Sequence, residues 1–224
     1  MHYKLSGRPD YAVVELELDA GEAVTTEAGS MVAMSPNMKV ETKAKGGLLG
    51  GLKRMVTGES FFTNTYRPEG TAGTITLAPP SPGDVEAIDL NGRAILMQSG
   101  SYLAHVGDVR IDTKFGGFKS FFSGEGLFFI KLSGQGKVFF NSYGGLKKIP
   151  IDGQYIVDTT HIVAFDESIN YNVETAGGFK ATFLSGEGLV CRYTGKGDLW
   201  IQTRSAPAFA GWLNPFRPVQ RDNG

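Results

Sequence analysis

Apolar and polar side chains alternate one for one over short stretches of this chain. Between Tyr11 and Asp19, Val14, Leu16 and Leu18 fall on one face, and Glu15, Glu17 and Asp19 on the other. Such alternation predicts a half-buried β-strand, because successive side chains of an extended backbone point to opposite faces. It returns in Met38-Lys39-Val40-Glu41-Thr42, Val109-Arg110-Ile111-Asp112-Thr113 and Ile169-Asn170-Tyr171-Asn172-Val173. Further strands are predicted over Val85 to Ile88, Arg93 to Gln98, Ser101 to Ala104, Leu127 to Leu132 and Lys137 to Asn141. The last third adds Tyr155 to Asp158, His161 to Ala164, Leu189 to Tyr193 and Asp198 to Thr203. Almost no segment keeps a helical period beyond two turns. Many short, closely spaced strands favour an all-β sandwich or barrel over a parallel α/β sheet.

The strands come in three sets. Gly117-Phe118-Lys119-Ser120-Phe121-Phe122-Ser123-Gly124-Glu125-Gly126-Leu127 is matched by Gly178-Phe179-Lys180-Ala181-Thr182-Phe183-Leu184-Ser185-Gly186-Glu187-Gly188-Leu189, and a worn copy starts at Gly51-Leu52-Lys53 and reaches Gly58-Glu59. Upstream of each lies an anchor ending in alanine: Met31-Val32-Ala33, Tyr102-Leu103-Ala104 and Ile162-Val163-Ala164. Before each anchor comes a glycine, Gly21, Gly92 or Gly153. Downstream come Gly70-Thr71-Ala72-Gly73, Gly134-Gln135-Gly136 and Gly195-Lys196-Gly197. Gly-X-Gly between apolar runs predicts a hairpin turn, because glycine takes positive φ at little cost. The chain thus divides into β repeats at 1–80, 81–145 and 146–205 and an aromatic tail at 206–224. A unit of about 60 residues buries too little surface to stand alone. The three are therefore expected to pack together with pseudo-threefold symmetry, closing to leave few free strand edges, with an open solenoid as the alternative.

This triplicated pattern of Gly-Phe-Lys, Ser-Gly-Glu-Gly-Leu and Gly-X-Gly resembles a bacterial family of uncharacterised proteins. That family is related to a fungal mitochondrial biogenesis protein named for altered inheritance of mitochondria. The resemblance covers roughly residues 1–205. It implies three copies of a β-sandwich unit, a shortened double-stranded β-helix like the subunit of the tryptophan-sensing RNA-binding attenuation protein. It carries no enzymatic activity, and a shared fold does not transfer function.

Composition narrows the function classes. The 224 residues carry a formal net charge of −1. Nucleic-acid binders need a basic face to meet phosphates, so no nucleic-acid partner is expected. Met1-His2-Tyr3-Lys4-Leu5-Ser6-Gly7 lacks the apolar run of a signal peptide. No stretch is long enough to span a bilayer as a helix, and a cytoplasmic protein is expected. The single Cys191 sits in Leu189-Val190-Cys191-Arg192-Tyr193, where a small buried side chain is the plainer reading than a reactive thiol.

Candidate chemistry is sparse. Glu59, Glu125 and Glu187 would hold a cation if they met near an axis. Each copy also supplies a lysine, Lys53, Lys119 or Lys180, so ion pairs that build the fold are the simpler account. His2, His105 and His161 are not equivalent between copies: His105 aligns with Met34 and Phe165, whereas His161 aligns with Ser30 and Ser101. No second ligand stands at metal spacing. Gly46 to Arg54 fails the phosphate-loop pattern, and no Gly-x-Ser-x-Gly elbow occurs. No catalytic residue, metal or cofactor is expected.

Function is then sought where the copies differ. The first departure is the tip Gly46-Gly47-Leu48-Leu49 with Leu52, Lys53 and Arg54, where apolar groups interleave with cations. This suits a partner groove or an anionic membrane surface, or a short helix packed on the sandwich. The second is the tail with Phe209, Trp212 and Phe216, expected to dock on its own domain or on a neighbouring subunit. The expected role is a non-enzymatic interaction or scaffold protein that binds a protein partner or itself, with peripheral membrane contact open. The alternative is a small-ligand binder or enzyme with a site between repeats and an unknown ligand.

Overall fold

A computed structural model describes residues 1–43, 62–113, 128–175 and 188–217. Of the three stretches 1–80, 81–145 and 146–205, the first holds β1 (His2–Ser6), β2 (Val13–Leu18), β3 (Val24–Glu27), β4 (Met31–Met34), β5 (Met38–Lys43), β6 (Thr63–Pro68) and β7 (Gly73–Leu77). The second holds β8 (Val85–Asp89), β9 (Ala94–Gln98), β10 (Tyr102–Asp112) and β11 (Phe129–Asn141). The third holds β12 (Leu146–Asp158), β13 (Ile162–Asp166), β14 (Asn170–Thr175) and β15 (Leu189–Gln202), followed by α1 (Ala206–Leu213). The fold is all-β, and every strand pairing between these elements is antiparallel. In β2, Val14, Leu16 and Leu18 are buried and Glu15 and Glu17 exposed, as the alternation dictates.

One pairing pattern appears in each stretch. In the first, β7 lies between β2 and β4, and β6 between β3 and β5. In the second, β11 does both jobs. Its later half lies between β8 and the start of β10, and its earlier half between β9 and the end of β10. In the third, β15 runs between β12 on one side and β13 and β14 on the other. A register shift falls at the anchor alanine each time, between Met31 and Ala33, Tyr102 and Ala104, and Ile162 and Ala164. A bulge adds a residue on one strand and bends it.

The Gly-X-Gly segments do not turn the chain into hairpins. β11 runs unbroken through Gly134 and Gly136, and β15 through Gly195 and Gly197. A Cβ at Gly136 would sit 2.4 Å from the Val106 carbonyl oxygen, and one at Gly134 would sit 2.2 Å from that of Asp108. Glycine here admits a neighbouring backbone where one long strand passes from its first set of partners to its second. A turn and a close approach ask for the same residue, which is why the sequence pattern favoured the turn. For the same reason Ser101 to Ala104 and Val109 to Thr113, expected as two strands, join into β10 through Gly107.

The core crosses the boundaries between stretches. Leu103, Ala104 and Phe139 of the second stretch pack with Val14, Leu16 and Leu77 of the first. Val163, Ala164 and Trp200 of the third pack with Ile95 and Phe140 of the second. Strands cross too: β10 pairs with β3, and β13 with β9. A polar clasp joins the first two stretches. Arg8 Nε donates to Asp84 Oδ1 at 2.6 Å and its Nη2 to Oδ2 at 3.0 Å. Asp84 is 4% exposed, and its carboxylate holds the Arg8 guanidinium above its usual pKa.

Among the described residues, the closure expected from three copies is not made through strand pairing. It would join the first stretch to the third, but there β4 pairs with β7 alone and β12 with β15 alone. Each ends a sheet.

Candidate functional site

The β3–β10 pairing sets His105 opposite Thr25 and Ala104 opposite Thr26. Beside it opens a cleft of about 740 Å³ lined by Thr25, Thr65, His105, Arg110, Asp112 and Lys131 among others. β6 contributes Thr65 because it pairs with β3 with Thr25 opposite Thr65, and the two hydroxyls lie 3.1 Å apart. Arg110 and Asp112 follow His105 on β10, and Lys131 comes from β11. The strand between the two stretches is thus one wall, and both stretches supply polar groups.

A buried relay stands behind this wall. The Tyr102 hydroxyl donates to the Thr25 carbonyl at 3.0 Å, and it lies 2.8 Å from His105 Nδ1. A phenol has one hydrogen. With that hydrogen on the carbonyl, His105 Nδ1–H must donate to the phenol oxygen, which leaves Nε2 an acceptor in the neutral ring. Burial, reinforced by Glu27, pushes the Tyr102 phenol well above its usual pKa. Burial also pushes the Glu27 carboxyl up to about 7. The copies differ at this position: the first anchor lies four residues after Glu27, and the third lies four after Asp158. Asp158 accepts from the Thr160 amide at 2.8 Å and from its hydroxyl at 2.6 Å.

At the corresponding place between the second and third stretches the histidine's position is taken by a ring. There Phe165 faces Leu96, and Phe165 packs edge-on to Phe129 at 5.4 Å and Tyr171 at 5.1 Å. Among the described residues the two junctions thus differ at this pair, His105–Thr25 in one and Phe165–Leu96 in the other. The mismatch of His105 with Phe165 in the aligned copies marks the place in the sequence. Thr25, Thr65 and Lys131 carry no local signal, because only strand pairing brings them there.

Of the residues singled out from sequence, Phe209, Trp212 and Phe216 form a continuous exposed ladder. Ser205 caps α1, its hydroxyl accepting from the Ala208 amide at 3.4 Å, with Pro207 in the first turn. The i, i+3, i+7 spacing puts the rings on one side. Phe209 stacks on Trp212 at 5.8 Å, and Trp212 meets Phe216 at 5.4 Å. Trp212 is 63% exposed, and no residue of α1 is buried. Phe209 also meets Tyr143 at 6.2 Å, a ring contact between the tail and the rest of the chain.

Leu48, Leu49, Leu52, Lys53 and Arg54 lie outside the described residues, as do Glu59, Glu125 and Glu187 and the lysines proposed to pair with them. His161 is a structural residue, its Nδ1 2.7 Å from the Gln202 carbonyl, and it lies apart from His105. Cys191 is buried, and burial pushes its thiol up to about 11, which keeps it in the unreactive protonated form. Among the described residues no three His, Cys, Asp or Glu side chains gather as a metal site. No helix among them is long and apolar enough to cross a membrane.

Comparison with known proteins gives the family. The chain is 32% identical over 229 residues to an uncharacterized protein of Streptococcus pyogenes serotype M6, covering 98% of this chain and 92% of that one. Its fold matches the X-ray crystal structure of protein SPYM3_0169 from Streptococcus pyogenes, with a TM-score of 0.79 and 30% identity over 96% of this chain and 99% of that one. The family model described as mitochondrial biogenesis AIM24 matches residues 3–204, and the chain belongs to that family.

Proposed function

We propose that this protein is a non-enzymatic interaction protein built from three copies of one β unit related by pseudo-threefold symmetry, and that its tail docks a protein partner. The observation that carries the reading is the exposed Phe209–Trp212–Phe216 ladder. Large aromatic rings left in water mark binding sites, since each buries a wide apolar area with few torsions to freeze. A photo-reactive residue placed at position 212 is expected to give one discrete adduct with a second protein. Changing Phe209 and Phe216 to serine should abolish it. A chain that gives no adduct, or one indifferent to those changes, does not use its tail this way. Sedimentation of the chain with anionic vesicles, lost in the same variant, would instead assign the ladder to a membrane surface.

The polar cleft between β3 and β10 supports a second reading, a small ligand held between the first two stretches. Its hydroxyls and paired charges suit a polar metabolite carrying both donors and acceptors. A ligand at a hundredfold excess over its Kd stabilises the folded chain by about 2.7 kcal/mol. A thermal-shift screen of polar metabolites should then yield a hit that Thr25→Val and His105→Phe remove. A screen without such a hit discards this reading.

A further inference from the structure

We propose that β4 of one chain pairs with the second half of β12 of another, so that copies assemble head to tail through a junction that the chain already makes twice within itself. The inference goes beyond the tail's role and uses a different surface.

The two internal junctions share one geometry. At the first, Ala104 faces Thr26 and His105 faces Thr25. At the second, Ala164 faces Met97 and Phe165 faces Leu96. In both, the strand carrying one anchor alanine lies antiparallel beside the strand that leads into the previous anchor. Tyr102, Leu103 and Ala104 are fully buried there, as are Ile162, Val163 and Ala164.

Among the described residues, the third pair of such strands has no partner. β4 carries the remaining anchor, Met31-Val32-Ala33, and β12 carries the remaining preceding strand. Each ends its sheet, so each offers a row of unpaired backbone donors and acceptors along its outer edge. Side chains whose counterparts are buried stand in water here: Val32 is 60% exposed against none for Leu103, and Ile156 is 48% exposed against 2% for Leu96. Applying the internal register, Ala33 falls opposite Val157 and Met34 opposite Ile156. The second is an apolar pair that would fill the place of His105–Thr25 and Phe165–Leu96.

The edges also lack the usual protection. Strands that end sheets are kept apart by charges, and β5 has Lys39 and Glu41, β14 has Glu174, and the first half of β12 has Lys147 and Lys148. β4 reads Met-Val-Ala-Met, and from Gly153 to Val157 β12 carries no charge. An uncharged, apolar, unpaired edge invites a strand. Two such edges with matching register on opposite ends of one chain invite a second copy. Because the two surfaces differ, the contact is heterologous and extends until the rotation per copy closes a ring.

The test is the mass in solution. The wild-type chain should sediment as a multiple of 24.1 kDa, in a concentration-dependent way. Met34→Glu and Ile156→Glu each place a carboxylate on one edge at an already exposed position, and each alone should abolish assembly. Mixed in equal amounts, the two variants retain one intact edge apiece and should form a dimer of one of each and nothing larger. Met34→Cys mixed with Ile156→Cys should give a disulfide-linked pair under mild oxidation, while neither alone does. This readout survives if a glutamate variant misfolds. A wild-type chain that stays monomeric at high concentration overturns the proposal, as does a cysteine link formed only within one chain. Loss of assembly in one glutamate variant only would show a like-with-like contact and would also overturn it. Changes at Phe209 and Trp212 should leave the mass unaltered, so failure here is separable from failure of the tail reading.

Discussion

Arg8→Ala is expected to destabilise the folded chain by about 3 kcal/mol or more, and by clearly more than Asp84→Asn. Breaking a buried ion pair leaves one charge without its counter-charge, and the cost follows which charge is left behind. Asp84 is 4% exposed, so losing Arg8 strands a desolvated carboxylate whose remaining hydrogen bond is from the Val85 amide at 2.8 Å. Arg8 is 39% exposed, so losing the carboxylate leaves a guanidinium that water can reach, a change worth about 1–2 kcal/mol. The clasp closes just where a backbone bond joins the first two stretches: the Ala12 amide donates to the Gly83 carbonyl at 2.9 Å. Urea unfolding of both variants checks the order. Equal losses would mean that the clasp is held by its neighbours and not by its charges.

Glu27→Gln should act in the opposite direction, and only at higher pH. Burial lifts the Glu27 carboxyl from 4.5 to about 7 in the folded chain. Between those values the folded state holds a proton that the unfolded state has released. Its contribution to stability is therefore complete below the unfolded value and is lost as pH rises through the folded one. Above about pH 7 the folded chain carries a desolvated carboxylate that the unfolded chain hydrates freely. At 1.36 kcal/mol per unit, discounted for partial exposure, the penalty is about 2–3 kcal/mol. Glutamine has no proton to lose. The variant should melt higher than wild type at about pH 8 and close to it at about pH 4.5. Parallel melting curves across that range would refute the assignment. The titration falls beside the buried Tyr102, whose phenol Glu27 helps burial to hold well above its usual pKa.

Much of the fold is legible in the residues. The alternation of Val14, Leu16 and Leu18 with acids sets the buried face of β2, and the three anchor alanines mark three equivalent bulges. The candidate sites are legible only in part. His105 stands out because its aligned partners are Met34 and Phe165, and the tail stands out by its aromatic content. Thr25, Thr65, Arg110 and Lys131 do not, because separate strands bring them to the cleft from as far apart as positions 25 and 131.

What the sequence determined by itself is which side chains share a face, since the period of two is built into an extended backbone. It also carries three look-alike anchors, each ending in alanine. Only the tertiary structure decided what lies beside each strand. Glycine at 134 and 136 serves a hairpin or a close approach equally well, and the backbone of β10 chooses the second. Met31-Val32-Ala33 and Tyr102-Leu103-Ala104 look alike as text, yet one is exposed and the other buried. Their difference is a second neighbour: β10 has β3 as well as β11, and among the described residues β4 has β7 alone. A strand's own residues fix its faces, while its edges are satisfied by backbone groups far away in the chain or in another copy of it.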